Sequence, residues 1–494
     1  MSENNKNNDK KAEETKPEPQ DVIVQTQHSV TIGGQEINYT VTTGTIVLKE
    51  EEEKEEKAEG EKAKAAIFFV AYTKNDVADA ALRPLTFSFN GGPGSSSVWL
   101  HLGVLGPRRV DNHDVDSPVL PPYRLVDNEF SLLDETDLVF IDPVGTGYSR
   151  AVPGEKPKQF YDFKKDIESV GDFIRLYATR YQRWNSPKFL IGESYGTTRA
   201  AGLSGYLQER HGMYLNGIML VSSILSFQTA HFETGNDLPY ILFLPTYAAT
   251  AWYHGRLVPD LQADLQKTLA EAEAFAMHEY TLALMQGASL PDEERPSIIQ
   301  KLARYTGLSE TFIERANLRI EIFRFCKELL REKRRTVGRL DTRYVGIDRD
   351  AAGEFFEGDP SYSAILGPYT STFNDYIRRE LEFESDLPYE VLSFKVFPAW
   401  QYAQNQNSFV NVAETLRKAM TMNPALKVHV ANGYFDLATP YMATRYTFDH
   451  LELDPSQQGN ISMSFYEAGH MMYVHEPSLA QLKSNLAAFL RGTV

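Results

Sequence analysis

The sequence contains a single cysteine, Cys326, among 494 residues. A lone cysteine cannot form a disulfide within the chain, so packing and hydrogen bonds alone must hold the fold. Because disulfides are rare in reducing compartments, their exclusion favours a cytoplasmic protein. Cys326 itself ends the apolar, helix-like run 320–326, which is typical of a packed core thiol and not of a nucleophile.

The chain also lacks long apolar runs and an excess of positive charge. No stretch of about eighteen apolar residues is present, so a transmembrane helix is not expected. No apolar segment near Met1 predicts a secretory leader, although a periplasmic or secreted location stays open if a leader has been removed. The net charge of −17 disfavours nucleic acids and anionic membranes as partners. The oligomeric state cannot be read from the sequence.

Composition predicts a large globular core with two polar additions. Apolar residues make up 42% of the chain, which is ample for a large core, and the length of 494 residues suggests about two to three domain-sized units. Residues 1–25 are predicted to be a disordered tail, because polar and charged residues dominate them. Residues 50–64 are nearly all Glu, Lys and Ala, and we interpret them as a flexible acidic insertion between two strands.

Strand-like and helix-like runs alternate along most of the chain. Residues 28–48 and 65–73 predict an antiparallel pair. Later strands are predicted at 85–89, 138–141, 188–191, 217–222, 426–430 and 461–465, with flanking helices at 162–182 and 477–491. Between them, residues 226–390 show helical patterns around 259–286, 292–305, 308–334 and 367–381, and no clear strand. The prediction is an α/β fold of the α/β-hydrolase kind. Its mostly parallel sheet, from 26–225 and 391–494, is interrupted by a mainly helical cap, 226–390.

The most specific local motif is the pentapeptide Gly192-Glu193-Ser194-Tyr195-Gly196. It is a Gly-x-Ser-x-Gly pattern between a short apolar run and the start of a helix-like run. A strand that turns sharply into a helix exposes the serine hydroxyl, and the glycines avoid Cβ clashes across the turn. The motif makes Ser194 the candidate nucleophile, with a chance occurrence of the pattern as the alternative.

An activated serine needs a base and an acid that orients the base. In the chain order typical of α/β-hydrolases, the acid and then the histidine follow the serine. The predicted strands 426–430 and 461–465 lead into loops that carry Asp436 and His470, at the same sheet edge as Ser194. Three rivals lie inside predicted elements or further from a strand end: His475, His429 and Asp449.

The oxyanion donors are expected at two places. One is the backbone N–H of Tyr195, directly after the nucleophile. The other is the glycine-rich loop 90–94, which follows strand 85–89 and lets the backbone approach a ligand closely. An ordinary glycine turn is the alternative interpretation of this loop.

Four blocks together resemble the serine carboxypeptidases, peptidase family S10. They are residues 90–97 (NGGPGSSS), 142–149 (DPVGTGYS), 192–196 (GESYG), and 432–436 (NGYFD) with 469–471 (GHM). Ser95 stands where eukaryotic members often have a disulfide-forming cysteine, so the bacterial-type members are the closer comparison.

The resemblance implies a hydrolase that needs no metal or cofactor and acts on peptides with a free C-terminus. Ser194 would attack the last peptide bond. His470 would act as base and then as acid, with Asp436 orienting it. The oxyanion would be held by the N–H groups of Gly92 and Tyr195.

The same resemblance implies that Asn90 and Glu193 hydrogen-bond the terminal carboxylate of the substrate. Gly91 and Met471 are expected to line the substrate pocket. A glutamate can donate a hydrogen bond to a carboxylate only while protonated, and burial raises its pKa. Activity is therefore expected to favour acidic pH and to fall as Glu193 ionises. Many family members have a second glutamate where this chain has Val104, which leaves the pH optimum open.

Other functions share these residues. An esterase or an acyltransferase would use the same triad, and a non-catalytic peptide-binding homologue is a more remote alternative. The side-chain preference at the substrate C-terminus is not readable. The basic cluster 331–335 is interpreted as a solvated helix end, with substrate contact as the alternative.

Overall fold

The computed structural model describes residues 19–54, 57–111, 114–115, 119–402, 405 and 407–494. The described strands are β1 (Val22–Ile32), β2 (Gln35–Lys54), β3 (Lys57–Lys74), β4 (Leu85–Phe89), β5 (Arg108–Val110), β6 (Leu125–Asp127), β7 (Asp137–Ile141), β8 (Arg150–Ala151), β9 (Lys188–Glu193), β10 (Gly217–Val221), β11 (Thr336–Val337), β12 (Val345–Gly346), β13 (Lys427–Gly433) and β14 (Ile461–Tyr466).

The described α-helices are α1 (Val98–Leu100), α2 (Phe163–Arg180), α3 (Tyr195–His211), α4 (Leu238–Tyr253), α5 (Pro259–Gln262), α6 (Leu265–Phe275), α7 (Thr281–Gln286), α8 (Arg295–Thr306), α9 (Glu310–Arg315), α10 (Ile322–Glu328), α11 (Pro360–Arg379), α12 (Ala413–Met422), α13 (Tyr441–Asp449) and α14 (Glu476–Arg491). No helix in the described part of the chain is long and apolar enough to cross a membrane.

Ten of the strands form one sheet in the order β1-β2-β3-β7-β4-β9-β10-β13-β14, with β8 paired to β3. The strands from β7 to β14 in this order run parallel. Apolar clusters cover both faces of the sheet, as a parallel sheet requires. This arrangement confirms the predicted fold class, and it brings the carboxyl ends of β4, β9, β13 and β14 to one edge.

The predicted antiparallel pair is confirmed as β2 with β3, but the bounds of the first strands differ from the prediction. Residues 28–48 are not one strand, because a turn at Gly33 and Gly34, both with positive φ, separates β1 from β2. The strand β1 begins at Val22 and pairs with β2 from there, so the tail predicted for residues 1–25 extends too far. Residues 1–18 lie outside the described part of the chain.

The acidic stretch 50–64 is also not a flexible insertion. Residues 50–54 belong to β2 and residues 57–64 to β3, and the two strands are paired there, with Glu50 opposite Lys62. Lys62 and Lys64 form ion pairs with Glu52 and Glu155, at 2.5–3.4 Å. Opposite charges on neighbouring strands stabilise the pairing, which composition alone does not reveal.

The predicted cap region, 226–390, contains more than the expected helices. Its short antiparallel ladder β11–β12 corrects the expectation that it has no strand. The sequence patterns missed α4, which is buried on nearly all sides and therefore has no polar face to mark it.

Two different cores hold the cap region. Helices α4 and α6 to α10 share one apolar core, which also takes Phe435, Leu437 and Tyr441 from the segment after β13. Helix α11 instead packs with α14 in the core on one face of the large sheet. The residues on both sides of Asp436 are thus anchored in the cap.

Candidate active site

Ser194 occupies the turn between β9, which ends at Glu193, and α3, which begins at Tyr195. Its φ of 60° and ψ of −131° are a sparsely populated conformation for a non-glycine residue. A Cβ on Gly192 would lie 2.1 Å from the carbonyl oxygen of Gly196, so the turn requires glycine there. Ser194 N donates to Val221 O at 3.0 Å, which ties the turn to β10. The serine therefore sits on the sharp strand-to-helix turn that the sequence predicts.

Asp436 and His470 meet at the neighbouring strand ends. Nδ1 of His470 lies 2.7 Å from Oδ2 of Asp436, and both side chains are buried. Asp436 also accepts hydrogen bonds from the backbone N–H groups of Ala438 and Thr439 and from the Thr439 hydroxyl, at 2.7–3.1 Å. Because a carboxylate only accepts, Nδ1 of His470 donates, and Nε2 is the nitrogen left for another partner.

The electrostatics of this pair favour a protonated imidazole. Burial lowers the pKa of His470, but the charge of Asp436 and its hydrogen bond outweigh burial, so the pKa lies above 6.5. An imidazolium formed during a proton transfer would therefore be stabilised here.

The rival residues lie elsewhere. His475 contacts the Ser478 hydroxyl at the start of α14, His429 contacts Ser462 across two strands, and Asp449 ends α13. None of the three lines the cleft that contains Ser194 and His470. The basic cluster 331–335 is also absent from the cleft wall.

The cleft has a volume of about 420 Å³. Its walls include every residue that the sequence assigns to substrate or oxyanion binding: Asn90, Gly91, Gly92, Glu193, Tyr195 and Met471. Across the described residues, no group of three or more His, Cys, Asp or Glu side chains is placed to hold a metal ion.

Asn90 is held rigidly at the end of β4. Its Oδ1 accepts from Leu100 N at 3.1 Å, and its Nδ2 donates to Oε1 of Glu193 at 3.0 Å. Its backbone oxygen accepts from Nη1 of Arg199 at 2.6 Å. A side-chain amide carries two hydrogens on nitrogen, so one Nδ2 hydrogen remains for a ligand in the cleft.

Glu193 has a second partner that the sequence analysis missed. The Tyr473 hydroxyl donates to Oε2 of Glu193 at 2.6 Å, and both side chains are buried. Burial raises the pKa of Glu193 to about 7, against the lowering effects of His470 and of the hydrogen bonds from Tyr473 and Asn90, while Asp436 raises it further. Near neutral pH this carboxyl is thus partly protonated and can donate a hydrogen bond.

Tyr473 occupies space beside the position where a second glutamate was expected. Val104 is fully buried in the apolar core, and a Cβ on the preceding Gly103 would lie 2.3 Å from the Tyr473 ring. The Tyr473 hydroxyl can therefore reach Glu193 only because residue 103 is a glycine, which leaves room for the ring. The only sequence signal was a tyrosine three residues after His470, which does not reveal this contact.

Arg199 is a second missed residue. It is 1% exposed, and its guanidinium makes two hydrogen bonds to Asp166, at 2.8 and 3.1 Å. Its cation also lies over the Tyr195 ring, 5.2 Å from the centroid. Arg199 therefore joins α2, α3 and the backbone of Asn90. The sequence signal for a role of Arg199 was its charge among mostly small and apolar neighbours near the start of α3.

A strained serine, a buried Asp–His pair and a glycine loop at the carboxyl edge of a mostly parallel sheet define a serine hydrolase of the α/β-hydrolase class. The family model of the serine carboxypeptidases, peptidase S10, matches residues 57–477. The chain belongs to the serine carboxypeptidase family.

Individual relatives match less of the chain. The pheromone-processing carboxypeptidase KEX1 of Saccharomyces cerevisiae is 36% identical over 137 residues, which cover 26% of this chain and 17% of that protein. Serine carboxypeptidase-like 22 of Arabidopsis thaliana is 21% identical over 387 residues, 75% of this chain and 71% of that one. The crystal structure of Kex1(delta)p, a prohormone-processing carboxypeptidase from S. cerevisiae, aligns with a TM-score of 0.58 and 16% identity. The alignment covers 92% of this chain and 91% of that chain, and it shows a shared fold.

Proposed function

We propose that this chain is a serine carboxypeptidase, which releases C-terminal residues from peptides through an acyl-enzyme on Ser194. The observation that carries the proposal is the pairing of Asn90 with a buried, hydrogen-bonded Glu193 in the cleft beside Ser194. An esterase or an acyltransferase would need the serine and histidine but has no use for a neutral carboxyl beside the nucleophile.

Substrate binding would begin at the terminal carboxylate. The free Nδ2 hydrogen of Asn90 and the proton of neutral Glu193 would both donate to it. A C-terminal amide or ester has no such charge, so these donors would favour a free acid. Anchoring the terminus in this way would place the last peptide bond at Ser194.

The chemistry would follow from the orientation of His470. The imidazole would take the Ser194 proton as the hydroxyl attacks the carbonyl carbon, with Asp436 stabilising the charge that His470 gains. The backbone N–H groups of Gly92 and Tyr195 would hold the developing oxyanion. His470 would then donate its proton to the leaving amine, and water would hydrolyse the acyl-enzyme by the same steps.

The proposed roles imply a bell-shaped pH profile on free-acid peptides. Activity should rise with pH as His470 loses its proton, through a pKa that the neighbouring Asp436 charge raises above the usual value of an imidazole. It should fall as Glu193, whose pKa is about 7, ionises and repels the terminal carboxylate. Ester substrates should show the rising limb alone, since they do not need Glu193.

Blocked dipeptides with free-acid, amide and ester C-termini test the proposal, with rates followed from about pH 4 to about pH 9. We expect free acids to be cleaved and amides to be poor substrates. Hydrolysis of the ester alone would exclude a peptidase. The variants Ser194→Ala and His470→Gln should lose activity, while His475→Gln, a matched change outside the cleft, should not.

A further inference from the structure

Arg339 is a charged residue of the cleft wall that the proposed chemistry does not use. It lies in the segment between β11 and β12 and is half-buried, and it lines the same cleft as Ser194 and His470. None of the sequence motifs contains it.

The backbone around Arg339 is fixed to both loops of the Asp–His pair. Its carbonyl oxygen accepts from Leu437 N at 3.0 Å, directly after Asp436. The next residue, Leu340, accepts from His470 N at 2.6 Å through its own carbonyl. The backbone of Arg339 is therefore fixed beside the loops that carry Asp436 and His470.

The guanidinium of Arg339 has no ion-pair partner among the described residues. Two buried arginines, by contrast, are paired with carboxylates: Arg199 with Asp166 and Arg343 with Asp341. A cation that keeps a half-buried position without a counter-charge is available to an anion that enters the cleft.

Asp359 is a carboxylate of the same cleft wall, and its oxygens already accept local hydrogen bonds. It begins α11 and accepts hydrogen bonds from the backbone N–H groups of Arg339, Leu340 and Ser361 and from the Ser361 hydroxyl. These local donors occupy the lone pairs of the carboxylate, and no ion pair joins it to the Arg339 guanidinium. The Arg339 guanidinium therefore lines the cleft without an ion pair to this carboxylate.

We propose that Arg339 is a specificity residue, which binds the carboxylate of an acidic side chain in one of the two residues that flank the scissile bond. This inference rests on the proposed function, because it describes the peptide that the site accepts. The terminal carboxylate is a different group, held by Asn90 and Glu193. The favoured substrates are then peptides with Glu or Asp next to, or at, the C-terminus. The planar guanidinium suits such a carboxylate, since it can donate two parallel hydrogen bonds.

The test compares two pairs of blocked dipeptides. In the first pair the last residue is either Glu or Gln. In the second pair the penultimate residue is either Glu or Gln, and nothing else differs within a pair. Binding is measured by calorimetry with Ser194→Ala, at about pH 6, where a peptide glutamate is ionised. In one pair we expect the Glu peptide to bind about tenfold more tightly than the Gln peptide. Adding Arg339→Gln should abolish this preference, whereas Arg335→Gln, the same charge change at an exposed site outside the cleft, should keep it.

The outcomes separate this inference from the proposed function. No Glu preference in either pair, or a preference that survives Arg339→Gln, would overturn the acidic subsite. An equal loss on Glu and Gln peptides would also overturn it, since it would show a structural role. If Ser194→Ala binds Glu peptides through Arg339 but the unmodified protein releases no residue from any peptide, the subsite stands and the carboxypeptidase function fails.

Discussion

Replacing Tyr473 with phenylalanine is expected to extend peptide hydrolysis to higher pH. The hydroxyl of Tyr473 donates to Oε2 of Glu193 at 2.6 Å in a buried setting. A donor favours the ionised carboxyl over the neutral one, so its removal makes Glu193 harder to ionise. The protonated form, which we propose as the ligand of the terminal carboxylate, then persists further into the alkaline range.

The size of the effect follows from the strength of one hydrogen bond. A bond to a charged acceptor contributes about 1.5–3 kcal/mol, and a bond to a neutral one about 0.5–1.5 kcal/mol. The difference, about 1–1.5 kcal/mol, corresponds to roughly one pH unit. Since the pKa of Glu193 is about 7, the midpoint of the falling limb should move to about pH 8.

The assay is kcat/KM against pH for one free-acid dipeptide and its methyl ester. The ester profile should not move, because it does not depend on Glu193. Tyr280→Phe is the matched control, since the Tyr280 hydroxyl donates at the same 2.6 Å distance to Leu318 O inside the cap. A midpoint that stays in place or moves down in Tyr473→Phe, or a uniform loss at every pH, would refute the assignment.

Three further changes test other contacts of the site. Glu193→Gln should remove the falling limb of the pH profile near pH 7, because a side-chain amide does not ionise but still donates a hydrogen bond. If the falling limb persists in the pH-rate profile of this variant, it must belong to another group. Gly91→Ala should impair catalysis strongly, since its Cβ would lie 2.4 Å from Tyr195 N. Gly358→Ala, with open space around its Cβ, should match the unmodified protein in rate and melting temperature. Asp166→Asn should lower the free energy of unfolding by about 3–5 kcal/mol, because it leaves a buried Arg199 without its counter-charge. A loss below about 1 kcal/mol in urea unfolding would argue against this.

Local sequence was sufficient for the parallel strands and therefore for the edge where the site lies. Short apolar runs that end in turns mark β4, β9, β13 and β14, and residues directly after such runs must meet at one edge. Local sequence alone placed Ser194, Asp436 and His470 at this edge, without knowledge of any contact. It failed for residues 50–64, because a run of Glu and Lys has the same composition whether it is solvated or paired with a neighbouring strand.

The sequence by itself determined which side chains sit at the ends of the strands, because strand formation and chain order are local properties. Only the tertiary structure decided what surrounds Glu193 and His470. Tyr473 reaches Glu193 across 280 residues of chain, past Gly103, and Arg339 enters the cleft from a segment between two short strands of the cap region. Hydrogen bonds and charges act through space, so residues far apart in the chain set the protonation of Glu193. By our proposal, Arg339, which lies outside every motif, also selects the substrate.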